Sequence, residues 1–166
     1  YLLSGIPSFA KDFEKQSDCY RRSAEYFLKA GDTLHAAEVT NWLFDLYFDR
    51  GKFEDAFDIG KKAVFLSQKT SDRDISRSWQ QFLVQYSLSN MSGLYSAAGD
   101  YETAMNYLIR NNQYAMEKQT GWIMNGDIAL LFCDMGKYDS ALVYWSRWRY
   151  SPYWDSYGDG HKAWGY

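Results

Sequence analysis

Several things are scarce in this 166-residue chain, and each scarcity excludes a class of protein. There are two prolines, which argues against long irregular linkers. There are two cysteines, Cys19 and Cys133, with no C-x-x-C and no neighbouring His/Cys cluster, so neither a disulfide framework nor a zinc site is spelled out. Both are expected to be small buried hydrophobes. The two histidines, His35 and His161, lie in no H-x-x-x-H spacing, and His35 is expected to be a partly exposed surface residue. Positive charge is short as well: 18 basic against 21 acidic residues leave a net charge of -3, with no electrostatic footprint for nucleic acid. The apolar run Ala129–Cys133 is five residues long, far short of a membrane span. P-loop, G-x-S-x-G and dinucleotide fingerprints do not occur, and Gly158-Asp159-Gly160 is a lone turn-like tripeptide. Acidic residues such as Glu102 and Asp139 follow helix starts, where they complement the macrodipole and need no catalytic role. No enzyme, cofactor or metal is expected.

Aromatics are abundant: 15 Tyr, 10 Phe and 7 Trp make up 19% of the chain. With 46% hydrophobic and 23% charged residues, the composition suits one compact domain or a short repeat array. Four phrases echo one another: Ala30-Gly31-Asp32, Arg50-Gly51-Lys52, Ala98-Gly99-Asp100 and Met135-Gly136-Lys137. A glycine just past a helix end closes the last carbonyls in a left-handed conformation at little cost. The segments between these turns carry helical spacing. It predicts seven helices, over about 9–29, 33–49, 53–69, 75–98, 101–118, 122–135 and 138–150. The polar stretch 70–74 reads as a loop with Asp72 or Asp74 as N-cap, and Pro152 ends the last helix. No segment alternates with period two for long enough to be a strand, and the expected fold is all-α.

Aligned on the glycine turns, the chain repeats itself. Thr40-x-x-Leu43-Phe44-x-x-Tyr47 leads to Gly51-x-Phe53-x-x-Ala56, with Gly60 and Ala63 following. Leu88-x-x-Met91-Ser92-x-x-Tyr95 leads to Gly99-x-Tyr101-x-x-Ala104, then Leu108. Asn125-x-x-Ile128-Ala129-x-x-Phe132 leads to Gly136-x-Tyr138-x-x-Ala141, then Trp145 and Trp148. This pattern resembles the tetratricopeptide repeat, in which small residues let two antiparallel helices approach closely. The family's Trp is absent at the first position, and Gly51, Gly99 and Gly136 stand 48 and 37 residues apart, wider than the family's period of about 34. The longer repeats resemble the extended form found in bacterial signalling proteins.

The resemblance implies a right-handed α-solenoid: residues 1–32 an N-terminal helix that caps the array or remains from an earlier repeat, 33–150 three helix pairs, and 151–166 an aromatic tail or cap. It also implies a non-catalytic scaffold that binds protein or peptide in a concave groove built from the first helix of each pair. The inward-facing positions carried over are Glu38, Asn41, Trp42, Asp45, Phe48 and Asp49, then Tyr86, Ser89, Asn90, Gly93 and Ser96, then Ile123, Asp127, Leu130 and Asp134. Of the Lys, Arg and Asn clamp that some members use for chaperone C-termini, only Asn90 is matched. Acidic residues beside Trp42, Phe48 and Tyr86 suit a basic or amphipathic partner instead. Two further readings stay open: a sensing or homodimerising segment of a larger signalling receptor, and a carbohydrate-binding protein that uses the aromatic tail. The start at Tyr1 reads as an excised piece, which leaves localisation open between cytoplasm and periplasm.

Overall fold

The computed structural model describes residues 12–69, 77–118 and 125–149, and the expectations that fall on other stretches, including the Asp72/Asp74 cap, Ile123, the 151–166 tail and His161, lie outside the described residues. Among the described residues there are seven α-helices and no strand. They are α1 (Phe13–Lys29), α2 (Thr33–Asp49), α3 (Phe53–Lys69), α4 (Arg77–Ala97), α5 (Tyr101–Lys118), α6 (Asn125–Asp134) and α7 (Tyr138–Arg149). The all-α expectation and the helix order are borne out. Helix α1 starts at Phe13, where the Asp12 side chain accepts from the Lys15 amide and caps the first turn.

Four helix ends close in the same way. Gly31, Gly51, Gly99 and Gly136 have φ of 77°, 67°, 79° and 70°, a region glycine enters without the Cβ penalty. At each, the glycine amide and the next amide bond back to the preceding turn, as Gly31 does to Leu28 and Asp32 to Phe27 (3.1 and 2.9 Å). The residue after the glycine then starts the next helix. Asp32 and Asp100 do so with side chains that accept from the His35 and Thr103 amides, both at 3.1 Å. Three residues therefore reverse the chain, and consecutive helices lie antiparallel.

Packing follows the turns. Helices α1 and α2, α2 and α3, α4 and α5, and α6 and α7 form the close neighbours, while α2 touches α4 and α4 touches α6. This arrangement of adjacent pairs is compatible with an α-solenoid in which α2, α4 and α6 share one side. Ala56 and Ala104 are 0% exposed and Ala141 5%, so the small residue of each pair sits where two helices meet. Leu43, Phe44, Tyr47, Ala56 and Leu94 make one core cluster, and Ala104, Leu108, Ile128 and Leu131 make the next. In α3, a Cβ added at Gly60 would come 2.5 Å from Met91 Sδ and 3.0 Å from the Phe44 ring, so glycine there lets α3 approach α2 and α4.

The cysteines depart from expectation. Cys19 is half-buried and Cys133 exposed, both as free thiols. Cys133 lies in the last turn of α6, where the helical period turns it away from Ile128 and Leu131.

Candidate binding groove on the α2, α4 and α6 side

Two seams join the first helices of the pairs, and both are polar. Between α2 and α4, Asn41 Nδ2 donates to the Ala37 carbonyl (3.1 Å) and to Ser87 Oγ (3.0 Å). Asn90 Nδ2 donates to Asn41 Oδ1 and to Asp45 Oδ1, both at 3.3 Å, and the Tyr86 hydroxyl donates to Asp45 Oδ2 at 2.5 Å. Between α4 and α6, Ser89 donates to Asp127 and Ser96 to Asp134, each at 2.6 Å. Residues seven apart on α6 thus meet residues seven apart on α4, which keeps the two helices in register over two turns.

Burial sets the electrostatics of these seams. It pushes the Asp45 carboxyl up to about 6; the charge of Asp49 adds to this, and the Tyr86 and Asn90 hydrogen bonds oppose it. Burial raises Tyr86 as well, and the Asp45 carboxylate beside it adds to the rise, so the phenol keeps its proton and remains the donor. Burial lifts Asp127 above the usual carboxylate range, countered by the Ser89 hydroxyl. Glu38 is raised by burial too, with His35 working in the other direction.

Over the α4–α6 seam lies a groove of about 570 Å³. Phe48 of α2, Ser89, Ser92, Gly93, Ser96 and Ala97 of α4, Tyr101 of α5, and Asp127, Leu130, Leu131 and Asp134 of α6 line it. Its floor is low because α4 presents glycine, serine and alanine there; a Cβ at Gly93 would meet nothing within 4 Å. Leu130 is 57% exposed at its wall. Tyr101 closes the far end, donating from its hydroxyl to the Asp134 carbonyl at 3.1 Å.

The residues carried over from the repeat pattern separate into three groups. Phe48, Ser89, Gly93, Ser96, Asp127, Leu130 and Asp134 line the groove. Asn41 is 1% and Glu38 6% exposed, so these two are buried in the helix packing and offer no surface to a partner; Asn41, Asp45, Tyr86 and Asn90 form the α2–α4 seam. Trp42 is half-buried with its ring 6.0 Å from Tyr20 of α1, and Asp49 is exposed at the end of α2. Ser92, Ala97, Tyr101 and Leu131 also line the groove, beyond what the repeat pattern implies. The aromatic that follows each turn glycine signals Tyr101, but nothing in the spacing distinguishes it from its equivalents Phe53 and Tyr138.

Among the described residues, no group of three or more His, Cys, Asp or Glu side chains is placed to hold a metal ion, and no helix is long and apolar enough to cross a membrane. No protein-family model matches the chain, and no curated protein matches it significantly. Among solved structures it is similar to the crystal structure of BtubC (BKLC) from P. vanneervenii, with a TM-score of 0.64 and 19% identity over 82% of this chain. The match spans about half, 55%, of that protein. At this identity the likeness is one of fold.

Proposed function

We propose that the chain is a non-catalytic scaffold of tetratricopeptide type that holds a basic, amphipathic segment of a protein in the groove over α4 and α6. The observation that carries this reading is a set of carboxylates without cations. Asp45, Asp127 and Asp134 have neutral hydroxyl or amide partners, and neither they nor Asp49 forms an ion pair among the described residues. The ion pairs of the described residues, Lys15–Asp12, Arg22–Asp18 and His35–Asp32, all lie between the cap of α1 and the first turn of α2, away from the groove. A half-buried carboxylate with raised proton affinity gains most from a cation brought close in a partly dry groove. Leu130 and Phe48 supply the apolar contact that a single amphipathic face would need.

The test compares two labelled helical peptides of equal length, one built of Lys and Leu and one of Glu and Leu, by fluorescence anisotropy. Binding is expected for the cationic peptide, weakening as salt rises. The double variant Asp49→Lys, Asp134→Lys is expected to lose about tenfold or more in affinity, because removing and reversing charge at a rim costs on the order of 1–2 kcal/mol. Asp45 is left in place because its substitution would break the α2–α4 seam; Asp134→Lys also removes the Ser96 hydrogen bond of the α4–α6 seam, so the helix content and unfolding midpoint of the double variant are measured beside its affinity. Equal affinity for the two peptides, or no effect of the double variant, would overturn the reading.

A further inference from the structure

Cations gather where the start of α1 meets the turn between α2 and α3. Phe13 and Tyr47 pack edge-on there, with ring centroids 5.0 Å apart. Lys52 Nζ lies 4.3 Å from the Phe13 centroid and 5.8 Å from that of Tyr47. It shares Phe13 with Arg50 and Tyr47 with Arg21, whose guanidinium carbons each lie 5.5 Å from the ring in question. Arg21 also donates to the Tyr47 hydroxyl. The three cations are exposed, whereas Tyr47 is buried and Phe13 half-buried. At the other such contacts among the described residues a ring carries one cation, as Phe57 carries Lys61 and Tyr107 carries Arg110. A ring face attracts a cation without neutralising it. Among the described residues none of the three forms an ion pair. Asp12 is engaged by Lys15 at 2.9 Å and Asp18 by Arg22 at 3.0 Å, while Asp49, Glu54 and Asp55, close by in sequence, pair with none of them.

We propose that Arg21, Arg50 and Lys52 form a binding site for a phosphate group, whose charge and acceptor oxygens match two guanidinium forks and an ammonium. The donors are available. Arg21 gives one nitrogen to Tyr47 and keeps the rest of its fork, and Lys52 gives no N–H to a protein acceptor among the described residues. The site is also partly organised in advance, because Tyr47 and Phe13 are held by the core cluster of Leu43, Phe44 and Ala56 and fix where the three long side chains lie. Three cations on a chain of net charge -3 are too few for a nucleic-acid backbone. None of them lines the groove over α4 and α6, so the site is separate from that groove and does not rest on its reading as a peptide site. Free inorganic phosphate and a phosphorylated side chain share the required chemistry.

Fluorescence anisotropy on the full chain tests the inference with a labelled Gly/Ser peptide carrying one phosphoserine and with its unphosphorylated twin, at about pH 7.5, where the phosphate is close to a dianion. The phosphopeptide is expected to bind about tenfold or more tightly than the twin, and inorganic phosphate is expected to displace it. The double variant Arg50→Gln, Lys52→Gln keeps the Arg21–Tyr47 hydrogen bond and is expected to weaken phosphopeptide binding about tenfold or more, with helix content by circular dichroism unchanged. Should it lose helix content, Lys52→Gln alone decides. The control Lys61→Gln, Arg110→Gln removes cations from two single-cation rings and is expected to bind as the parent does. Displacement by inorganic phosphate at the concentration at which the peptide itself binds would assign the site to free phosphate, and the need for a large excess would assign it to a phosphorylated chain. Equal affinity for the two peptides, binding of neither, or the same affinity in the Arg50/Lys52 variant as in the parent would overturn the inference, and so would an equal loss in the control.

Discussion

Tyr86 on α4 donates its hydroxyl hydrogen to Asp45 on α2 at 2.5 Å, while Asn90 one turn along donates to the other oxygen of the same carboxylate at 3.3 Å. One half-buried carboxylate therefore ties the first helices of two consecutive pairs together, through neutral donors alone. That seam makes stability depend on pH. Asp45 has its proton affinity raised to about 6 from the ordinary 3.8, so between about pH 4 and pH 6 the folded chain binds more protons than the unfolded one. Stability then falls as pH rises through that window, by at most about 3 kcal/mol, because one bound proton is worth about 1.4 kcal/mol for each pH unit crossed. Asp127 and Glu38 are raised as well and add to the slope, whereas exposed Asp12 and Asp100 are lowered and act the other way only below about pH 4. Urea unfolding at pH 5 and pH 7 should show the chain more stable at pH 5, and Asp45→Asn should flatten the difference.

Removal of the phenol hydroxyl isolates the role of the donor. Tyr86→Phe keeps the ring, which stacks 5.6 Å from Phe82, but leaves Asp45 with Asn90 alone. Loss of one hydrogen bond to a half-buried charged group is expected to cost about 1–3 kcal/mol at pH 7. The loss should shrink at pH 5, where Asp45 becomes protonated. A pH-independent loss would show that Tyr86 acts through packing and not through the carboxylate.

The turns and the inter-helix contacts were legible in the sequence because they depend on local chemistry. Gly31, Gly51, Gly99 and Gly136 each occupy a left-handed position that other residues avoid, and Ala56, Ala104 and Ala141 each fill a spacing at which only a small side chain fits. The groove was legible only in part, because its character depends on residues distant in the chain. Asn41 looks like an accessible polar residue on a groove helix; its burial follows from Ser87 and Asn90, supplied by a different pair. Leu130 belongs to an apolar run, but its repeat position assigns it to the groove side, and it does line the groove, because the helical period turns it away from Ile128 and Leu131. Cys133 is exposed for the same reason.

Ala104 tests the packing of α5 against α6. It is 0% exposed and shares a cluster with Leu108, Ile128 and Leu131, so a larger side chain has no space to occupy. Ala104→Trp is expected to destabilise by about 1–3 kcal/mol or more through overpacking. An unchanged thermal melting temperature would show that the two helices separate at this level without cost.

Gly60 and Gly93 separate glycine kept for packing from glycine that leaves the groove open. Both lie inside helices, where replacing glycine by alanine ordinarily gains about 1 kcal/mol. At Gly60 a methyl group would stand 2.5 Å from Met91 Sδ, and Met91 is 0% exposed, so its thioether has nowhere to retreat. Overpacking of about 1–3 kcal/mol should outweigh the helix gain, and Gly60→Ala is expected to lower stability. At Gly93 nothing lies within 4 Å of the added Cβ, and Gly93→Ala is expected to raise stability by about 0.5–1 kcal/mol. Opposite signs in denaturant unfolding check the pair. The same open position gives a probe of the groove that spares the fold: Gly93→Trp fills the floor between Phe48 and Leu130 while leaving both helix seams intact. It is expected to abolish binding of the Lys/Leu peptide with an unfolding midpoint no lower than that of the parent chain. Full binding by a well-folded Gly93→Trp chain would place the partner elsewhere on the molecule.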